Sequence, residues 1–222
     1  MKWLYNWMYR NNRVPWDLGP RKELVAAVES GRVQPCRAID LGCGTASNAI
    51  FLAQHGFEVT GTDYSPAAIA LCRERGATAG VAVEWVEDNL THLQHVAGPF
   101  DLLVDWGVYD DLSRDDRRDY LRNVLPLTHD HSQYFIYVHE WPLRWWERLL
   151  YRLLSGIGAP MQPGEVEADF GPHFQIEKVM VRHLPGYIAG EAAYLMTRKG
   201  RGQTTMRDPQ QTKEFKETLA CG

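Results

Sequence analysis

Apolar residues along the chain gather into short runs separated by helical patterns. "RAIDL" (37–41), "FEVTGT" (57–62), "VAVEWVE" (81–87), "FDLLVDW" (100–106) and "SQYFIYVHE" (132–140) read as strands. "VAVEWVE" alternates with period two, and "FDLLVDW" is the continuous run expected of a strand buried on both faces. Between them, "RKELVAAVESG" (21–31) places Leu24, Val25 and Val28 on one helical stripe and stops at Gly31, and "SNAIFLAQHG" (47–56) stops at Gly56. Ser65 is placed to cap a further helix, with Pro66 in its first turn and Gly76 after its end. "RDDRRDYLRNVLPL" (114–127) is amphipathic.

Strand and helix alternating over the first 140 residues predict an α/β fold, a parallel sheet with helices on both faces. The pattern then changes. "PLRWWERLLYRLLSG" (142–156) is a basic, aromatic helix, "PGEVEADFGPHF" (163–174) a short one, and "QIEKVMVRHLPGYIAGEAAYLMTRK" (175–199) two strands joined by a short loop. Residues 1–20 are dense in Trp and Tyr without a clear period, so 1–35 is taken as an aromatic cap on a single domain of residues 1–199. Residues 200–222 have the polar composition of a disordered tail.

With 222 residues, 45% of them hydrophobic, one α/β core is the expectation. A net charge of −4 with no basic stripe argues against a nucleic-acid partner. No run approaches the roughly 20 apolar residues of a membrane span, and the N-terminal stretch shows no signal peptide. Four cysteines without a CxxC pair fit reduced thiols and a cytoplasmic location.

The chemistry concentrates in "RAIDLGCGTASNAIFLAQHGFEVTGTDYSPAAIALCRERG" (37–76). A pyrophosphate turn wants glycines and backbone N–H groups with no competing carboxylate. Here Asp40 ends the strand two residues before Gly42, and Ser47 takes the last position of the G-x-G-x-x-G pattern. No Gly-Lys-Ser/Thr follows, which excludes a P-loop. An ammonium group would welcome Asp40. Asp63, at the end of the next strand, can accept two vicinal ribose hydroxyls. The pair calls for a ligand with an adenosine end and an aminoacyl end, and S-adenosylmethionine has both.

On "AIDLGCGTAS", "VTGTDYS", "VEDNL" and "FDLLVDWG" the chain resembles the class I S-adenosylmethionine-dependent methyltransferases over roughly residues 1–199. The resemblance implies a Rossmann-like, doubly wound, mostly parallel seven-stranded sheet with a C-terminal antiparallel hairpin. It implies a cofactor site formed by Asp40, Gly42, Gly44, Thr45, Asp63, Tyr64, Asp88, Asn89, Leu90, Asp105 and Trp106, with Asp88 accepting the adenine amino group and Asn89 or Leu90 offering a backbone N–H. Ala46 replaces the last glycine of the turn and is acceptable if its φ stays negative. "NNRVPWDLGPRKEL" (11–24) resembles the thiopurine-methyltransferase-like and tellurite-resistance-like branch, where such an element crosses the cofactor. Trp16 is the residue carried over, an indole face for a sulfonium. Trp3 and Trp7 are expected to staple the N-terminus to the sheet.

The acceptor belongs outside the carboxyl ends of the fourth and fifth strands, near Asp105, Trp106, Tyr109, His139, Glu140 and Trp141. His139 is the candidate base, with Asp105 and Tyr109 as further catalytic candidates. Asp110 and Asp111 read as the start of the next helix. "DWGV" in place of an Asn/Asp-Pro-Pro-Tyr element argues against an amino acceptor in nucleic acid. His129 and His131 lack a partner at metal spacing, so no metal site is expected. Residues 142–160 are read as a lid over the acceptor, with a surface helix packed on the core and, more distantly, a membrane-surface helix as the alternatives. The expected function is in-line transfer of a methyl group to a small-molecule thiol, halide or metalloid, hydroxyl or carboxylate, by a monomer or homodimer. The alternative is a non-catalytic S-adenosylmethionine-binding protein of the same fold, and a dehydrogenase is more distant.

Overall fold

The seven strands form one sheet in the order β3-β2-β1-β4-β5-β7-β6. The computed structural model describes residues 2–11, 14–146, 161–183 and 190–200. In chain order its elements are α1 (Lys2–Arg10), α2 (Lys22–Glu29), β1 (Arg37–Leu41), α3 (Ser47–Gln54), β2 (Glu58–Asp63), α4 (Pro66–Ala79), β3 (Val83–Glu87), β4 (Phe100–Trp106), α5 (Arg114–Val124), a 3-10 turn (Leu125–Leu127), β5 (Thr128–His139), α6 (Glu165–Phe170), β6 (Phe174–His183) and β7 (Gly190–Arg198). β1 to β5 pair in parallel, and β7 enters antiparallel between β5 and β6.

Alternation along the central strands separates two cores. Ile39, Leu41, Leu103 and Ile136 face one layer with Tyr109, Tyr120 and Phe170. Ala38, Leu102, Val104 and Phe135 face the other with Leu24, Leu52 and Val59. Each buried Leu, Ile or Phe contributes roughly 1.5–3 kcal/mol, so the apolar runs seen in sequence set the register. That register brings Leu41, Thr62 and Asp105 level, and aligns His139 with Glu191 across β5 and β7. The carboxyl ends of β1, β2, β4 and β5 therefore share one edge.

Several boundaries differ from expectation. α4 continues past Gly76 to Ala79 and is closed by Gly80 at φ 68°. Gly76 lies inside it because the Trp85 ring needs the room: a Cβ at 76 would sit 3.2 Å from the ring, and one at Gly61 only 2.5 Å from Trp85 Cζ3. Gly61→Ala is expected to destabilise the fold by about 2 kcal/mol through overpacking, and Trp85→Leu to recover part of that loss in the double variant. Urea midpoints of the three variants check this.

β5 starts at Thr128 rather than 132, taking in His129 and His131, and His129 Nε2 lies 2.9 Å from Asp101. Residues 2–10, expected only as part of an aromatic cap, form α1. It is pinned at the start of α4, where Ser65 donates to Asn6 Oδ1 (2.5 Å) while its Oγ accepts the Ala68 N–H (3.1 Å). Trp3 is 74% exposed and staples nothing to the sheet, whereas Tyr9 from the same helix is buried. Of the expected lid (142–160), residues 147–160 lie outside the described residues, as do 201–222 of the expected tail; Leu143 is buried, and Trp145 and Trp146 are exposed. Among the described residues no helix is long and apolar enough to cross a membrane, and no group of three or more metal-ligating side chains occurs.

Candidate active site

The turn after β1 is fastened to β2. The N–H groups of Gly42 and Cys43 donate to the Thr62 carbonyl at 2.8 and 2.9 Å. Gly44 N–H reaches Asp63 Oδ2 (3.1 Å), and Ser65 N–H reaches Asp63 Oδ1 (2.9 Å). Gly42 has φ 74°, and a Cβ there would lie 2.2 Å from Val108 Cγ2. Gly44 has φ 51°, and a Cβ there would lie 3.0 Å from the Tyr9 hydroxyl and 3.8 Å from Trp16 Nε1. Ala46 corrects the expectation of negative φ: it sits at 69°, a left-handed conformation costing roughly 1 kcal/mol for a residue with a side chain. Its fully buried methyl offsets much of that strain.

Asp40 lies at the centre of this turn. Its carboxylate accepts a backbone bond from Ala49 in α3, while Oδ2 is buried without a partner. Burial pushes its pKa up to about 7, and the charges of Asp105 and Asp63 add to this. A buried carboxylate with an open oxygen needs a proton or a cation, so these residues fit the ammonium of S-adenosylmethionine. Asp63 accepts one N–H on each oxygen, which fixes its carboxylate at the end of β2.

An aromatic wall stands over the turn. Trp16 packs on Tyr5 (5.5 Å between centroids) and Tyr9 (6.1 Å), and Tyr5 meets the edge of Tyr64 at 6.2 Å. Trp16 is held there by its neighbour Asp17, which pairs with Arg75 of α4 at 2.7 Å, and by Arg21, which donates to the Trp16 carbonyl at 3.0 Å. Thr45, expected at the cofactor, instead faces this clamp: Oγ1 lies 3.5 Å from Ser47 Oγ, and Arg75 donates to the Thr45 carbonyl at 3.2 Å.

The loop after β3 lies beside Asp63, tied by the Asp88 N–H to the Asp63 carbonyl (3.1 Å). Its side chains do other work than expected. The Asp88 carboxylate accepts the N–H groups of Asn89, Gln94, His95 and Val96 at 2.7–3.1 Å. Burial raises its pKa, but these bonds outweigh it and hold the group below the usual carboxylate value. Asp88 thus shapes residues 89–96, leaving little for an adenine amino group. Asn89 caps Thr91 (3.1 Å), and Leu90 is a core side chain.

Two catalytic candidates belong to the core. Tyr109 is fully buried and donates to Asp169 Oδ2 (2.8 Å). Asp105 is fully buried, accepting from Val108 N–H (2.9 Å) and the Tyr120 hydroxyl, so it shapes the turn after β4. Glu140 is likewise buried, bonded to Tyr194 and to Lys178 Nζ (2.9 Å).

What stands at the shared edge is His139. Its Nδ1 lies 2.7 Å from Asp110 Oδ2, which also accepts the His139 backbone N–H at 2.9 Å. The Asp110 carboxylate holds the imidazole pKa above its usual value, against the opposing effect of burial. The His139 side chain is 51% exposed whereas that of Asp110 is 3% exposed, so the ring is anchored from below and open above. Beside it, Tyr137 stacks on Trp106 (4.3 Å, 13° between planes), and Arg21 lies 5.3 Å over the Trp106 ring. Asp111, exposed at the rim, accepts the Tyr5 hydroxyl (3.1 Å), and the neighbouring Asp110 charge raises its pKa. Asp110 and Asp111 thus serve the site rather than starting α5, which Ser113 caps. Sequence reasoning also missed Arg21 and Tyr5, whose only signal was proximity to Trp16.

Residues 38–130 match a family model described as a methyltransferase domain. The 2-heptyl-1-hydroxyquinolin-4(1H)-one methyltransferase of Mycobacteroides abscessus is 26% identical over 130 residues, covering 58% of this chain and 57% of the relative. The chain thus spans little more than half of that relative's length. The structure of TehB from Haemophilus influenzae superposes with a TM-score of 0.64 at 17% identity, covering 87% of this chain and 67% of TehB. The 1,6-didemethyltoxoflavin-N1-methyltransferase of Burkholderia thailandensis, solved with 1,6-didemethyltoxoflavin and S-adenosylhomocysteine, superposes with a TM-score of 0.65 at 18% identity, covering 90% and 87%. These structures share the fold. Residues 38–130 thus carry a methyltransferase domain, and the chain has the fold of S-adenosylmethionine-dependent methyltransferases, with TehB among the proteins it is similar to.

Proposed function

We propose that this chain transfers a methyl group from S-adenosylmethionine to a hydroxyl on a planar aromatic small molecule. The observation that carries the reading is the buried Asp40 carboxylate with its open oxygen, standing beside Asp63 at the glycine turn. Asp40 would meet the ammonium and Asp63 the ribose hydroxyls, while Tyr5, Tyr9 and Trp16 offer π faces that favour a cation. The bound cofactor supplies an electrophilic methyl whose thioether leaving group needs no acid.

A hydroxyl acceptor does need a base. The Asp110 carboxylate takes the His139 Nδ1–H, which leaves Nε2 as the acceptor of a proton. The Trp106–Tyr137 stack offers a flat apolar wall beside that ring, suited to an aromatic acceptor. The name of the M. abscessus relative, a hydroxyquinolone methyltransferase, agrees with such an acceptor. Most of the rate would come from aligning the acceptor with the methyl group at roughly 3–3.5 Å.

The test is release of S-adenosylhomocysteine from purified protein given S-adenosylmethionine and a panel of hydroxylated heteroaromatics, phenols, thiols, halides and carboxylates. Turnover restricted to the aromatic hydroxyls is expected. Micromolar cofactor binding without turnover of any acceptor would instead identify a non-catalytic binding protein.

A further inference from the structure

Two thiols lie under the glycine turn. Cys43 stands between Gly42 and Gly44, and Cys72 is on the inward face of α4. Both are buried, packed with Ala46 and Ile69, and their sulfurs are 3.6 Å apart. Cys72 S–H donates to the Gly44 carbonyl at 3.4 Å, which leaves Cys43 S–H to donate to Cys72 Sγ. This short chain of bonds ends on the residue whose own N–H holds Asp63.

We infer that Cys43 and Cys72 form a redox-sensitive pair whose oxidation to a disulfide weakens the cofactor site. The inference rests on the reading of this turn as the site for S-adenosylmethionine. With a peroxide as oxidant, the two thiols lose two protons and two electrons, one S–S bond forms, and the peroxide is reduced to two waters. The sulfurs must close from 3.6 Å to about 2 Å. The movement draws Cys43 toward α4 against its N–H bond to Thr62 (2.9 Å). Cys72 also loses the proton it gives to Gly44, since a disulfide sulfur is no donor. The turn then no longer presents Gly44 N–H squarely to Asp63. Burial holds the Cys43 thiol well above its ordinary pKa, so the pair answers a sustained oxidant through local opening rather than a brief pulse.

The experiment uses the full chain with Cys36→Ser and Cys221→Ser, so that only this pair remains. Hydrogen peroxide is expected to lower the intact mass by two hydrogens and to link the peptides bearing residues 43 and 72. The Kd for S-adenosylhomocysteine should rise about tenfold or more, the equivalent of one disrupted charged hydrogen bond, and dithiothreitol should restore it. A Cys72→Ala chain, or Cys72→Ser if alanine unfolds it, should show neither response. An unchanged mass, or oxidation only to sulfinic acid, overturns the pair. A complete crosslink with unchanged affinity overturns its effect on the site. Failure of the reduced protein to bind S-adenosylhomocysteine overturns the cofactor reading instead, and the mass measurement still decides the crosslink.

Discussion

Asp63→Asn is expected to weaken both S-adenosylhomocysteine and 5′-methylthioadenosine about 100-fold, whereas Asp40→Asn weakens only the former. The asymmetry follows from what each carboxylate touches. Asp63 is the hub of the turn, with Gly44 N–H and Ser65 N–H on its two oxygens, and in the proposed complex it also accepts the ribose hydroxyls. Charged hydrogen bonds are worth about 1.5–3 kcal/mol each, and an amide brings N–H groups where the turn already presents donors. Both ligands carry the ribose, so both lose. Asp40 addresses the ammonium, which methylthioadenosine lacks. Its neutral replacement removes that attraction alone and leaves the fold intact, because burial already favours the uncharged form.

The pH dependence has a definite sign. The Asp40 pKa near 7 is above its unfolded value of about 3.9, so the folded ligand-free protein binds more protons between the two. That contribution to stability is present at acid pH and lost as pH rises toward 7. Ligand binding uses the ionised form, so affinity for S-adenosylhomocysteine should increase from about pH 6 to pH 8, and the slope should vanish in Asp40→Asn. Calorimetric titration at three pH values checks both. Equal affinity of Asp40→Asn and the parent for S-adenosylhomocysteine would remove the basis for an ammonium at this position.

The parts that were legible in the sequence are those fixed by local pattern. Apolar runs place β1, β4 and β5, because a strand buried on both faces has to be apolar, and period-two alternation places β3 at the sheet edge. Asp40, the glycines and Asp63 announce themselves because a turn of that shape needs those residues within one strand–helix–strand unit. What stayed hidden depends on contacts distant in sequence. α1 was missed although Trp3, Leu4, Trp7 and Met8 recur at helical spacing, because the element is short and its tyrosines on the other positions blur the stripe; those tyrosines pack against a turn instead of a core layer. The insertion of β7 between β5 and β6 is a matter of topology that a hairpin pattern does not encode. Tyr109 and Asp105 sit in the right stretch for catalysis, but strand alternation and the turn after β4 send both into the core with Tyr120 and Phe170. Asp110 was hidden for the opposite reason: an acid just before a helix looks like an N-terminal charge, and its partner His139 is 29 residues away.

That pair carries the second large effect. His139→Ala should lower kcat about 100- to 1000-fold toward an aromatic hydroxyl with KM little changed, the range lost when a positioned base is removed. Asp110→Asn retains an oxygen for the Nδ1–H but not the charge, and should lower kcat about tenfold. The pH profile separates this from simple misfolding. A base acts in its neutral form, so kcat rises with pH up to the imidazole pKa, which Asp110 holds above 6.5. Removing the carboxylate lets that pKa fall, so the rising limb should move to lower pH in Asp110→Asn. In His139→Ala the limb should disappear, leaving a slow rate that follows the acceptor's own ionisation. Unchanged turnover in His139→Ala would rule out a base and point to an acceptor that arrives already ionised, a thiolate or halide.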